Sequence, residues 1–252
     1  MPGRAGRTRT RRVRPRAVAA AVVALAVLGG ACGETVPAGR PEPTGPPAHT
    51  PLPDGIISPD GAAGRSLRAA ITDLPVTAEN RTGYTRETFE HWVDADTDGC
   101  TTRSEVLIAE AVTAPSVGAG CRLTGGAWRS YYDDATWTNP TDLDIDHLVP
   151  LAEAWDSGAS TWTDAQRRAY ANDLDDPRSL VAVTDRLNQA KGDKDPAAWM
   201  PPATDARCRY LTEWVAVKIR WRLAVDTTEK TALTSHAATC PETTLTVTAA
   251  LA

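Results

Sequence analysis

Apolar positions along this chain fall into short runs broken by Gly, Pro and Asp, and their period changes from one run to the next. The stretch "TRETFEHWV" places Phe89, Trp92 and Val93 at helical spacing behind Thr85, so the pattern predicts a helix there, and a second one over Ser104–Val112. From Ser116 to Asp146 paired glycines, aromatics and turn residues replace that period, which predicts a hairpin or small sheet. A helix over Thr163–Leu174, a strand in "SLVAV" and a short helix in "TDRLNQAKG" follow, the last capped by Thr184 or Asp185 and ended by Gly192. A longer amphipathic helix over about Ala203–Leu223 carries Leu211, Trp214, Val215 and Ile219 on one face, and a last helix reaches Cys240. The segment "SLRAAITDLPV", where folding begins near Ser66, fits helix or strand. The sum is an α+β domain whose strands concentrate just before Asp146, and the eight tryptophans recur beside apolar residues as core rather than as a carbohydrate platform.

The N-terminus does not belong to that domain. "MPGRAGRTRTRRVRPR" is a basic region and "AVAAAVVALAVLGG" a short apolar one, together an export signal over residues 1–32 that is too short to span a bilayer. Gly29, Gly30 and Ala31 lead into Cys32 as in a lipobox, with a glycine where leucine is usual. Lipidation of Cys32, giving a membrane anchor, stands beside an ordinary secretory signal. Residues 33–65 are rich in Pro, Gly and Thr and read as a flexible tether, leaving 66–252 to fold. The first 32 residues hold seven arginines and no acid, so the remainder carries 20 basic against 32 acidic side chains. That balance argues against nonspecific coating of nucleic acid, but not against a metal site that handles phosphate. Four cysteines remain beyond Cys32, an even number that points to two disulfides; the local pairs Cys100–Cys121 and Cys208–Cys240 are favoured among three connectivities.

The chemistry concentrates in "DLDIDHLVPLAEAW", Asp142–Trp155. On a strand Asp142, Asp144 and Asp146 share one face while Leu143 and Ile145 pack on the other, and His147 follows directly. A carboxylate holds a hard divalent cation and a neutral imidazole takes a proton from water, the pairing that phosphodiester hydrolysis needs. Pro150 ends the ladder and would set the pair at a strand end facing an open site. A metal held by Asp146 needs a further ligand. Asn188, on the short helix, offers an amide oxygen, with Lys191 three residues on along the same face to meet a phosphate.

With "DIDHLVPL", "LVAV" and "NQAKGDKDPAAWMPP" in view, the region from about Thr85 to Cys240 resembles the HNH (ββα-metal) nucleases. It is similar in particular to HNH endonuclease-family proteins exported by actinobacteria, which share a domain with the C-terminal part of modification-dependent restriction enzymes. The resemblance implies a ββα-metal finger embedded in a mainly helical domain, Asp146 and Asn188 as ligands of one Mg²⁺ or similar ion, His147 as general base, and DNA as substrate. The family's middle asparagine has no clear match: Arg178 and Ser179 occupy its place, with Asn172 a substitute further back.

"DADTDGCTTRSE", Asp94–Glu105, independently fits the EF-hand loop, with Asp94, Asp96 and Asp98 at the first, third and fifth places, Gly99 at the sixth and Glu105 at the twelfth. Helical runs are predicted on both sides, no partner loop is visible, and Thr101 replaces the usual aliphatic; a lone structural Ca²⁺ clip and an acidic turn pinned by Cys100 are both open. Two functions therefore follow: an exported HNH-type endonuclease, or a non-catalytic calcium-binding surface module on an HNH-like scaffold. No protein partner is evident.

Overall fold

The computed structural model describes residues 64–250; the export signal, Cys32 and the tether up to residue 63 lie outside the described residues. Among the described residues no helix is long and apolar enough to cross a membrane. In chain order the elements are β1 (Arg65–Ser66), α1 (Leu67–Asp73), α2 (Thr102–Ala109), β2 (Ser116–Gly118), β3 (Arg122–Thr124), β4 (Trp128–Ser130), β5 (Ala135–Trp137) and β6 (Leu143–His147). There follow α3 (Leu151–Asp156), α4 (Asp164–Ala171), β7 (Leu180–Thr184), α5 (Asp185–Lys191), α6 (Arg207–Arg220), α7 (Thr227–Ala237) and β8 (Thr244–Leu245). The strands form four antiparallel pairs, β1–β8, β2–β3, β4–β5 and β6–β7.

The β6–β7 ribbon lies between two cores, because its residues alternate in direction. Val181 and Val183 join the larger core with Leu211, Trp214, Val215 and Ile219 of α6, while Leu180 and Ala182 meet Leu143, Ile145, Val106, Leu107 and Trp128 in a smaller one. A ribbon buried on both faces reads as an unbroken apolar run, which is why "LVAV" shows no alternation. α6 is likewise buried nearly all round, so its polar members Glu213, Lys218 and Arg220 are buried too. Lys218 meets that cost with Glu153 at 2.7 Å, Ser157 at 2.6 Å and Glu229 at 3.1 Å. Of the eight tryptophans, Trp128, Trp155, Trp214 and Trp221 are buried and Trp92, Trp137, Trp162 and Trp199 half-buried.

Local signals account for most of the boundaries. Ser66 caps α1, Thr163 and Gln166 form a capping box at α4, and Gly192 at φ 54° ends α5. The disulfides Cys100–Cys121 and Cys208–Cys240 form as expected. The expected helix over Thr85–Val93 does not: only a 3₁₀ turn at Arg86–Thr88 is present, and Trp92 has φ 59°. Tertiary hydrogen bonds replace the helical ladder there. Asn172 donates to the Glu90 carbonyl at 2.7 Å and accepts from the Val93 N–H at 3.1 Å, while Thr102 donates to the Val93 carbonyl from its backbone N–H at 2.8 Å and from its hydroxyl at 3.0 Å. Helix propensity, worth a few tenths of a kcal/mol per residue, gives way to such contacts at about 1 kcal/mol each. The last helix stops at Ala237, short of Cys240.

Candidate functional site

The ribbon β6–β7 runs directly into α5, since Thr184 both ends β7 and stands at the N-cap of the helix. The Thr184 hydroxyl accepts from Trp137 Nε1 and donates to Asp133, each at 2.8–2.9 Å, which ties this corner to β5 instead of capping α5. Asp144, Asp146, His147, Asn188 and Lys191 all sit on this strand–strand–helix unit.

Alternation along β6 sends Asp146 and His147 to opposite faces. Asp146 pairs in register with Val181 on the face of the larger core, beneath α5. Lys191 Nζ donates to both of its oxygens, at 2.8 and 2.6 Å, and to the His147 carbonyl at 3.0 Å. The Tyr132 hydroxyl donates to Asp146 Oδ2. Lys191 is wholly enclosed and the Asp146 side chain is 5 % exposed. Burial pushes the Asp146 carboxyl up and the Lys191 ammonium down, each against the pull of its partner. Lys191 is therefore committed to Asp146 and not presented to a phosphate, the role its helical spacing suggested. An ionised carboxylate has about four acceptor positions. Three are taken here, and one is left.

His147, 6 % exposed, lies on the other side of the ribbon. Its ring stacks on Tyr170 at 6.5 Å between centroids and touches Trp92 at 5.1 Å. Nε2 bonds to the Ala171 carbonyl at 2.9 Å, and because a carbonyl only accepts, Nε2 carries the proton. Nδ1 has no hydrogen-bond partner among the described residues, so its lone pair is free. Burial pushes the pKa of His147 down to about 3; the charges of Arg86, His91 and Lys191 add to this and the Ala171 contact opposes it. The imidazole is neutral at pH 7, in the form that a proton acceptor needs. Pro150 does end the strand, but α3 follows with all six residues buried, so His147 lies at an enclosed strand end rather than in an open cleft.

Asn188 and Asp144 are both half-buried, and the Asn188 amide nitrogen donates to Asp144 Oδ2 at 3.3 Å, which leaves the amide oxygen unengaged. Asp142 falls in the 3₁₀ turn before β6, outside the strand. Asn172, the substitute for the missing asparagine, is adjacent to the Ala171 carbonyl that orients His147 and pins the Glu90–Val93 segment beside the ring. Ser179 bonds Asp173 at 2.7 Å and Arg178 pairs with Asp176 at 2.6 Å, so neither replaces it. Sequence reasoning missed Tyr132, His91 and Trp92 at this site; "YY" and "EHW" lie far away in the chain and carry no spacing signal toward His147.

The Asp94–Glu105 loop forms a separate cluster. Asp94, Asp96 and Asp98 each present a carboxylate oxygen within 4.8 Å of the others. Asp94 Oδ2 accepts from the Gly99 N–H at 3.0 Å, whereas Asp94 Oδ1 is enclosed with no partner. Burial raises the Glu105 carboxyl, and the charges of the three aspartates raise it further. Only α2 flanks the loop; on the other side the chain is not helical.

Residues 120–236, the part of the chain that carries Asp146, His147, Asn188 and Lys191, match the family model for the C-terminal domain of GmrSD restriction endonucleases and are similar to that nuclease-related domain. A protein of Arthroderma benhamiae described as an uncharacterized secreted protein is 44 % identical over 194 residues, spanning 77 % of this chain and 92 % of that one. The chain belongs to the same family as that protein. No solved structure matches it.

Removing one partner of the Asp146–Lys191 pair strands a buried charge. Lys191→Met is expected to lower the unfolding free energy by about 3–5 kcal/mol. The double change Asp146→Leu with Lys191→Met should lose less than Lys191→Met alone, as measured by guanidinium unfolding; an equal or larger loss would contradict the pairing.

Proposed function

We propose that this protein is an exported, metal-dependent endonuclease of the HNH type that hydrolyses phosphodiester bonds in DNA. The observation that carries the reading is a neutral His147 whose Nε2–H is held by the Ala171 carbonyl and whose Nδ1 is free, on a strand–strand–helix unit that also bears Asp146 and Asn188. The match of residues 120–236 to a restriction-endonuclease domain supports it. Export is supported by the two disulfides and by the secreted relative. A lipid anchor at Cys32 remains part of the proposal and lies outside the described residues.

Asn188 and Asp146, with Asp144 beside them, would hold a hard divalent ion such as Mg²⁺. The Asn188 oxygen is unengaged, Asp144 beside it is half-buried, and Asp146 retains one acceptor position. Such an ion, when bound, neutralises charge on the phosphate and on the leaving oxygen. His147 Nδ1 takes the proton from the attacking water. Tyr132 and Lys191 are positioning residues that fix the Asp146 carboxylate, and Asn172 and Ala171 fix the imidazole. We place Ca²⁺ in the second cluster, held by Asp94, Asp96, Asp98 and Glu105, where the unpartnered Asp94 Oδ1 supports a ligand role. That ion would brace the segment that packs on His147. If the protein is instead a non-catalytic surface module, the calcium loop is its working part and the nuclease unit a scaffold.

Two measurements separate these readings. The purified full chain, with disulfides formed, is expected to cleave plasmid DNA in Mg²⁺ or Mn²⁺ and not in chelator. His147→Ala should abolish cleavage, by at least about 100-fold, in a chain that circular dichroism shows to be still folded, though less stable because a buried ring is removed. A folded, Mg²⁺-supplied wild-type chain that leaves DNA intact would overturn the enzyme. Independently, 10 mM Ca²⁺ acting on a lone loop of about 0.1–1 mM affinity should stabilise the wild type by roughly 1.4–2.7 kcal/mol and leave Asp94→Ala unaffected; no thermal shift in the wild type would remove the calcium site.

A further inference from the structure

The segment Phe89–Val93 is built to hold a second imidazole at His147. Phe89 is buried against Tyr170, 6.1 Å between ring centroids, and so anchors the segment in the core. Trp92 then turns into the left-handed region at φ 59°, a conformation that costs a bulky residue about 1–3 kcal/mol. Asn172 and Thr102 hold the backbone on either side of it. The kink lets two consecutive side chains meet the same ring: Trp92 lies 5.1 Å from His147, and His91 lies 6.3 Å from it at 81°. Strain of this kind, over-determined by its surroundings, clusters where geometry matters for function.

The two imidazoles stand in unlike surroundings. His147 is enclosed, whereas His91 is half-buried. His91 Nδ1 bonds to the Phe89 carbonyl at 2.8 Å, so Nδ1 carries a proton and Nε2 is the nitrogen left to act. Arg86 is exposed, forms no ion pair among the described residues, and lies near enough that its charge opposes protonation of His147. Arg86 thus offers one cation to an anionic phosphodiester at this edge, beside the exposed Glu87 and Glu90.

We propose that His91 is the proton donor to the leaving oxygen when His147 activates water, an inference that rests on the endonuclease reading. The water oxygen bonds to phosphorus as His147 Nδ1 takes its proton. The bond from phosphorus to the leaving sugar oxygen breaks, its electron pair stays on that oxygen, and the oxygen takes the proton from Nε2 of protonated His91. His147 then releases a proton to solvent and His91 regains one, so charge and atoms balance. Trp92, in contact with both rings, is a positioning residue.

A leaving group that needs no proton tests this directly. The full chain with Mg²⁺ is assayed on plasmid DNA, whose leaving group is an alkoxide, and on bis(p-nitrophenyl) phosphate, whose nitrophenolate leaves unprotonated. His91→Gln is expected to lose about 100-fold or more on DNA and less than about threefold on the nitrophenyl ester, whereas His147→Ala loses on both. Should His91→Gln not fold, His91→Gly with added imidazole gives the same reading: DNA cleavage should return with imidazole. An equal loss on both substrates, no loss on DNA, or no rescue by imidazole overturns the proton donor while leaving the endonuclease intact. A wild type inactive on both substrates overturns the endonuclease, and His91 with it.

Discussion

The ammonium of Lys191, buried on Asp146, is the contact on which the site depends. It joins the last turn of α5 to the end of β6, and by donating also to the His147 carbonyl it satisfies the backbone where the ribbon stops. Two charges taken out of water repay little net free energy even when well paired, so such a bridge specifies geometry more than it stabilises. Tyr132 completes it from the loop after β4, and around it Tyr132, Trp199 and Tyr210 pack edge to face or tilted at 5.1–5.7 Å. The same device recurs at Lys218 among Glu153, Ser157 and Glu229, and at Arg220 on Asp173. Polar clusters of this kind leave few alternative packings for the helices around the ribbon.

On this frame the pleat separates the acidic side of β6 from the side that carries His147. The acidic side of β6, with Asp144 and Asp146, faces α5 and Asn188. The other side presents His147 to Tyr170, Trp92 and His91. In the proposed reading the first face would take the cation and the second the proton. The long excursion that brings residues 85–105 over this second face is held by Asn172, by the Cys100–Cys121 bridge and by the acidic loop between them. A calcium ion in that loop would stiffen the segment nearest the histidine.

Much of this was legible in the sequence. The alternation of Asp144 and Asp146 with Leu143 and Ile145 locates β6, the unbroken "LVAV" locates β7, and Gly192 marks where α5 ends. The even, local spacing of four cysteines anticipates both bridges. What was hidden depends on contacts between residues far apart in the chain. Phe89, Trp92 and Val93 fall at helical spacing, yet Asn172, some eighty residues on, takes the backbone groups that a helix would use. Lys191 stands three residues from Asn188 and so reads as a partner in the same task; only packing reveals that it turns inward to Asp146. The period of two implies that Asp146 and His147 face opposite ways, but which face is enclosed is decided by α3 and α6.

The protonation state of His147 bears most directly on the proposed base, which would have to be neutral with a free lone pair. Nitrogen NMR of the ¹⁵N-histidine-labelled full chain between pH 5 and 8, in chelator, reads it directly. A His147 resonance pair of the Nε2–H tautomer that stays constant across this range is expected, as a pKa of about 3 requires. A His147 that titrates near 6.5, or carries its proton on Nδ1, would contradict it.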